Sequence, residues 1–171
     1  MTEQIKKEMS AVTDNNAAAV TDDEMALINA YSRRTLTKDE VYVFGVVLCD
    51  NDIDRDNERF TVESLFELEK LFVGKTGIFD HSPTAKNQTA RIFACSVESI
   101  DGRKTANGDD YFRLTARAYI PKTKGNEEII QAIDSGILKE VSIGCAAGEV
   151  RCGICGENIN HCAHIKGETY G

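Results

Sequence analysis

Several features are absent from this sequence of 171 residues. No apolar run approaches the roughly 20 residues that a membrane-spanning helix needs, and the N-terminus has no basic-then-apolar signal pattern. The chain also has no basic patch. Its net charge is −8 and its basic residues are scattered, whereas a general nucleic-acid binder must neutralise phosphates. We therefore expect a cytoplasmic protein with no membrane and no nucleic-acid partner.

The residues that are present fit a soluble globular domain, with 42% apolar and 28% charged residues. Strand-like runs outnumber amphipathic helical runs, and this order predicts an α+β fold. We expect a small β-barrel or a curled, mostly antiparallel sheet, with about three helices. Residues 1–20 are polar and alanine-rich and are expected to be disordered or a frayed helix, residues 21–151 to form the main domain, and residues 152–171 to form a Cys/His tail.

Capping and turn residues indicate where the elements begin and end. Thr21 and Glu24 form a capping box for a first helix, and Thr61 caps a second helix that Gly74 ends. A third helix is expected at 126–135, and strands at 41–48, 76–80, 91–100, 111–120 and 140–146. The strands at 91–100 and 111–120 flank a turn-rich link and should pair as a hairpin.

A serine and a histidine carry the first candidate for chemistry. His81 is the one histidine outside the tail and follows a short apolar strand, while Ser142 lies in the apolar strand VSIG. A serine hydroxyl is a weak nucleophile until a base within hydrogen-bond reach takes its proton, and histidine suits that task. Taken singly, each residue also fits a structural role, as an exposed loop histidine or a hydroxyl bonded to backbone. The α/β-hydrolase elbow is absent, because Glu140 stands where its first glycine belongs.

Four motifs, in this order, resemble the prohead protease of tailed phages, whose fold is related to the herpesvirus assembly protease. The resemblance runs from Tyr42 to Gly144, and its motifs are VVLCDNDIDRDNERF, IFDHSP, TARIFACSVE and GILKEVSIGC, the last of which extends one residue further, to Cys145. The resemblance covers about three-fifths of the chain. It implies a protease domain at 21–151 in which Ser142 is the nucleophile and His81 the base, with no cofactor for catalysis.

The same resemblance implies partners and a place of action. The substrates would be the phage scaffold protein and the major capsid protein, with self-cleavage as well. Cleavage would occur in the host cytoplasm, inside the assembling procapsid. By analogy with the herpesvirus relatives, a homodimer is also expected.

A third catalytic member is less well marked. In the family it is usually an acidic residue on a strand after the serine, and Glu149 is the nearest acidic candidate downstream. A solvated strand end is the alternative interpretation of Glu149, and the acid can also lie beyond Gly171 in a longer precursor. Asp80 adjoins His81 but would face the opposite side of an extended strand.

The tail contains a second candidate site. Cys152, Cys155, Cys162 and His164 give four ligands within thirteen residues, a spacing typical of structural zinc in a loop like a zinc knuckle. His161 is the rival fourth ligand. A redox-active CxxC pair and disordered thiols are the alternatives. The remaining cysteines lie singly in apolar stretches and are expected to be reduced core residues: Cys49, Cys95 and Cys145.

Two other functions compete with the protease. One is a non-catalytic zinc-binding structural or scaffold module of a phage head. The other is a small nucleic-acid-binding zinc protein, which the acidic charge and the lack of basic and aromatic residues near the cysteines disfavour. The approach of Ser142 to His81 distinguishes the first of these from the protease.

Overall fold

A computed structural model describes residues 4–9, 20–78, 81–82 and 84–170 of the chain, the first of these segments through its backbone. Within them it contains three α-helices and six strands. The elements are β1 Gln4–Met9, α1 Asp22–Asn29, β2 Val41–Asp50, α2 Val62–Phe72, β3 Thr76–Ile78, β4 Gln88–Lys104, β5 Asp110–Pro121, α3 Glu127–Asp134 and β6 Val141–Ala146. The predicted α+β class is confirmed.

The strands form two antiparallel groups. Four of them make one sheet in the order β2-β5-β4-β3, and β1 pairs with β6 in a separate two-stranded ribbon. The predicted hairpin is confirmed, since β4 pairs with β5 along most of its length. We expected a small β-barrel or a curled, mostly antiparallel sheet. The larger sheet is open, because within the described residues β2 and β3 are its edge strands.

The helices begin and end where local signals place them. Thr21 accepts a hydrogen bond from the backbone N–H of Glu24, whose carboxylate in turn accepts from the N–H of Thr21, so the predicted capping box is present. Thr61 caps α2 through the N–H of Ser64. Gly74 follows α2 with a φ of +83°, a left-handed conformation that glycine adopts without steric cost.

The core is divided into two clusters of buried side chains. The first joins α2, the middle of the sheet and β6, and consists of Val46, Leu48, Cys49, Leu65, Leu68, Leu114, Ala116 and Ile143. The second lies under α1 and consists of Met25, Ile28, Leu36, Val41, Val43, Phe93 and Tyr119. Because β6 contributes to the first cluster, the strand that carries Ser142 is packed against the rest of the domain.

The three isolated cysteines lie where the apolar pattern placed them. Cys49 is fully buried in the first cluster, and Cys95 and Cys145 are half-buried against it. Burial, followed by the charge of Glu69, raises the pKa of the Cys95 thiol to about 11. The thiol therefore stays protonated near neutral pH, as an inert core cysteine does.

The N-terminal segment differs from its prediction. We expected disorder or a frayed helix throughout residues 1–20, but Gln4–Met9 form β1. The reason is non-local, since an isolated strand has no backbone partners and β6 supplies them from the other end of the chain. The rest of that prediction, at residues 1–3 and 10–19, lies outside the described residues. In the described part of the chain, no helix has the length and apolarity needed to cross a bilayer.

Candidate active site and metal centre

Two side chains far apart in sequence meet between the sheet and the ribbon. Nε2 of His81 lies 3.0 Å from Oγ of Ser142, although 61 residues separate them along the chain. His81 follows β3, the edge strand of the larger sheet, and Ser142 is the second residue of β6. The distance is that of a hydrogen bond, so the imidazole can accept the hydroxyl proton when Nε2 is unprotonated.

The alternation of β6 explains why Ser142 faces the histidine. Ile143 is fully buried, and Val141 and Cys145 pack against the same core cluster. Side chains on a strand alternate between its two faces, so Ser142 and Gly144 must point away from that core. Gly144 is exposed and Ser142 half-buried, as this arrangement requires.

The backbone of His81 is unusual. Its φ is +51°, a left-handed value that few non-glycine residues adopt, although histidine is one of the more tolerant. Two hydrogen bonds hold the carbonyl of the next residue, Ser82: the N–H of Thr84 lies 2.8 Å from it and the Asn87 amide 3.0 Å. Strained backbone that is fixed in this way is common at functional sites. Sequence patterns alone gave no sign of it.

Gly144 lies beside the other nitrogen of the imidazole. A Cβ placed on Gly144 would lie 4.0 Å from Nδ1 of His81, an ordinary contact distance. A methyl group would fit there, whereas a longer side chain would press on the ring. The backbone of β6 therefore forms one wall of the histidine site, next to the atom that an orienting group would have to reach.

The expected third member has a different neighbour. The carboxylate of Glu149 accepts a hydrogen bond from Arg151 at 3.0 Å, and both side chains are largely exposed to solvent. Among the described residues, no hydrogen bond or ion pair links Glu149 to His81. The interpretation of Glu149 as the orienting acid therefore gains no support from the geometry, and Asp80 lies outside the described residues.

The tail brings its four expected ligands together. The ligand atoms of Cys152, Cys155, Cys162 and His164 all lie within 4.8 Å of one another. Sγ of Cys162 is 3.4 Å from Sγ of Cys155 and 3.3 Å from Nδ1 of His164, which in turn is 3.6 Å from Sγ of Cys152. A tetrahedral ion with bonds of about 2.3 Å to sulfur and 2.0 Å to nitrogen separates its ligands by roughly 3.5–3.8 Å. The Cys3His group therefore fits a metal such as zinc, and His161, the rival ligand, lies outside it.

Two thiols of this cluster have shifted pKa values, in opposite directions. The N–H groups of Cys155 and Ile154 point at Sγ of Cys152 and lower the pKa of that thiol to about 6. The N–H of His164 acts in the same direction on Cys162, but burial and the neighbouring thiols outweigh it and raise its pKa to about 11. Several thiolates cannot crowd together without a counter-charge, which a divalent cation supplies.

A tight turn and two distant contacts hold the tail in place. The N–H of Gly156, whose φ is +74°, donates to the carbonyl of Cys152 at 2.9 Å. Farther along, Lys166 forms an ion pair with Glu58, in the loop between β2 and α2. Gly167 lies against Asn57, since a Cβ added to Gly167 would be only 3.3 Å from the side-chain amide nitrogen of Asn57. The end of the Cys/His tail thus lies against the acidic loop at 51–60.

Comparisons of this chain with protein-family models, with curated proteins and with solved structures give no match.

Proposed function

We propose that this chain is a serine endopeptidase that cleaves the scaffold protein or the major capsid protein, or both, during the maturation of a tailed-phage head. The observation that carries the proposal is the 3.0 Å approach of Nε2 of His81 to Oγ of Ser142. The order of motifs between Tyr42 and Gly144 supports the choice of family, and with it self-cleavage and action inside the procapsid in the host cytoplasm. A homodimer is proposed by analogy alone.

The chemistry follows from the two atoms that meet. As Oγ of Ser142 attacks the carbonyl carbon of the substrate, Nε2 of His81 takes the hydroxyl proton. The resulting tetrahedral intermediate collapses to an acyl ester on Ser142, and the imidazolium gives its proton to the departing amine. Water then attacks the ester, with His81 again as base, and hydrolysis releases the acid and restores the hydroxyl. His81 thus carries the hydroxyl proton to the departing amine in the first half of the reaction, and a proton from water to Oγ of Ser142 in the second half.

Mass spectrometry of the phage scaffold or capsid protein, co-expressed with the chain, tests this proposal. We expect the wild type to cut its partner, and Ser142→Ala and His81→Ala to lower the cleavage rate by about 10⁴–10⁶-fold. Ser96→Ala, on an exposed position of β4, is the matched serine control, and His161→Ala is the matched histidine control. Cleavage that persists in Ser142→Ala would contradict the choice of nucleophile.

We also propose that the Cys3His cluster holds a structural zinc ion. Four protein ligands leave no open position for water, so such an ion would stabilise the tail rather than act on substrate. Metal analysis of the purified chain should give one zinc per chain, and Cys162→Ser should abolish it. His161→Ala should retain the metal, because His161 lies outside the cluster.

The second candidate is a non-catalytic zinc-binding module of the phage head. Two observations favour it: among the described residues no acidic side chain is hydrogen-bonded to His81, and all four side chains of the Cys3His group lie together. A fluorophosphonate probe distinguishes the two functions, because it reacts with activated serines. A wild-type chain that contains zinc but is neither labelled at Ser142 nor able to cut the capsid and scaffold proteins would support this candidate.

A further inference from the structure

The edge of β6 beside Ser142 is occupied by the chain's own N-terminal strand. The register pairs Glu8 with Ser142, Lys7 with Ile143 and Lys6 with Gly144. The backbone of β1 therefore runs antiparallel past the proposed nucleophile. A peptide substrate bound as an added strand on that edge would follow the same course, since main-chain hydrogen bonds to an edge strand are a common way to hold extended peptides.

The attachment of β1 to the rest of the fold is mainly through β6. Within the described chain β1 belongs to a two-stranded ribbon, separate from the larger sheet, and β6 is the element against which it chiefly lies. A two-stranded antiparallel ribbon is marginally stable by itself. By contrast, β6 is held by Ile143 in the core. Loss of β1 would leave β6 in place, with its edge groups open to another strand.

The present register makes β1 an occupant rather than a substrate. In a β-ladder the paired carbonyl groups lie near the plane of the strands, whereas side chains such as that of Ser142 stand out of that plane. A carbonyl of β1 is therefore not presented to Oγ while it remains in the ladder. A substrate would have to pair along one part of β6 and leave the ladder at its scissile unit.

We propose that this edge of β6 is the binding site for the extended polypeptide substrate and that β1 occupies it as an intramolecular competitor. The proposal rests on the protease function and adds a strand-binding site and its regulation. If β1 occupies the edge nine-tenths of the time, it weakens the apparent affinity for an added strand about tenfold.

Two full-length variants test the competition. In an antiparallel ladder, the backbone N–H and C=O groups of successive residues point alternately toward and away from the partner strand. The backbone N–H of either Lys6 or Lys7 must therefore point at β6. Lys6→Pro combined with Lys7→Pro removes both N–H groups, and Lys6→Ala combined with Lys7→Ala is the matched control, which keeps them. The probe is a fluorescent, end-capped peptide of the sequence of residues 4–9, and its binding is followed by polarisation.

We expect the proline variant to bind the peptide about tenfold more tightly than the alanine variant. Amide hydrogen exchange at residues 141–146 should be faster in the proline variant, while protection of β4 and β5 should be unchanged. Equal peptide binding by the two variants would overturn the proposal, because the peptide would then use another surface. Loss of protection in β4 and β5 would overturn it too, because β1 would then be a structural strand.

Labelling of Ser142 by the fluorophosphonate probe separates this inference from the protease function. Faster labelling in the proline variant supports both. Tighter peptide binding with no labelling in either variant would leave a strand-binding edge without a protease. Labelling at equal rates, together with equal peptide binding, would leave the protease and remove the competitor.

Discussion

Ile143, the buried isoleucine next to Ser142, gives the sharpest test of how the candidate site is built. Ile143 is 3% exposed and lies in the core cluster, whereas Ile137, between α3 and β6, is 78% exposed. Replacing each by alanine removes the same atoms from opposite environments. We expect Ile143→Ala to lower the free energy of unfolding by about 2–5 kcal/mol, and Ile137→Ala to change it by no more than about 0.5 kcal/mol.

Urea denaturation of the two variants measures this difference. With a similar denaturant slope for both, the shift in midpoint reports stability directly. A loss of a few kcal/mol would be a large share of the roughly 5–15 kcal/mol that stabilises a typical domain. Comparable costs for Ile143→Ala and Ile137→Ala would refute the reasoning, because β6 would then not be anchored by Ile143. The alternation that turns Ser142 toward His81 would lose its physical basis as well.

Three further predictions follow from the geometry. If the chain is a protease, Gly144→Ala should change the cleavage rate by no more than about threefold, whereas Gly144→Leu should lower it by about 10²-fold, because a displacement of about 1 Å at a reacting group has that cost. Equal rates for the two variants in a peptide-cleavage assay would contradict the contact of Gly144 with the imidazole. Burial and the hydrogen bond to Asp50 raise the pKa of Tyr111 to about 12, so this tyrosine contributes stability below pH 10 that is lost as the pH rises toward 12. Urea midpoints should therefore fall less steeply across that range in Tyr111→Phe than in the wild type, and parallel curves would count against it. Cys155→Ser should release the proposed metal and speed amide exchange in the tail, while the free energy of unfolding of the domain, measured with urea, changes by no more than about 0.5 kcal/mol. A cooperative loss of the whole fold would show that the metal supports more than the tail.

Local patterns predicted the elements whose stabilising contacts are themselves local. The capping box of Thr21 and Glu24 lies within one turn, and Thr61 and Gly74 mark the two ends of α2 without reference to the rest of the chain. The Cys3His cluster is similar, because the turn at Gly156 brings thiols close over a short stretch. Such features depend on spacing along the sequence, which is directly readable.

The features that the patterns could not supply depend on contacts between distant residues. Strand β1 exists because β6 supplies its backbone partners, and nothing in the composition of residues 4–9 indicates that pairing. The ion pair of Lys166 with Glu58 likewise joins two loops that no local rule connects. No sequence pattern indicates the left-handed φ of His81 either.

The pairing of β1 with β6 also sets an order of events during synthesis. These strands lie near opposite ends of the described chain, so their contact closes the longest loop in the fold, and such contacts form late because loop closure costs entropy. The contact of His81 with Ser142 likewise forms only after the chain has been made as far as Ser142, 61 residues after His81. A ribosome must therefore release β6 before the side chains of His81 and Ser142 can meet. If the chain is a protease, a nascent copy has no assembled site with which to cut its neighbours.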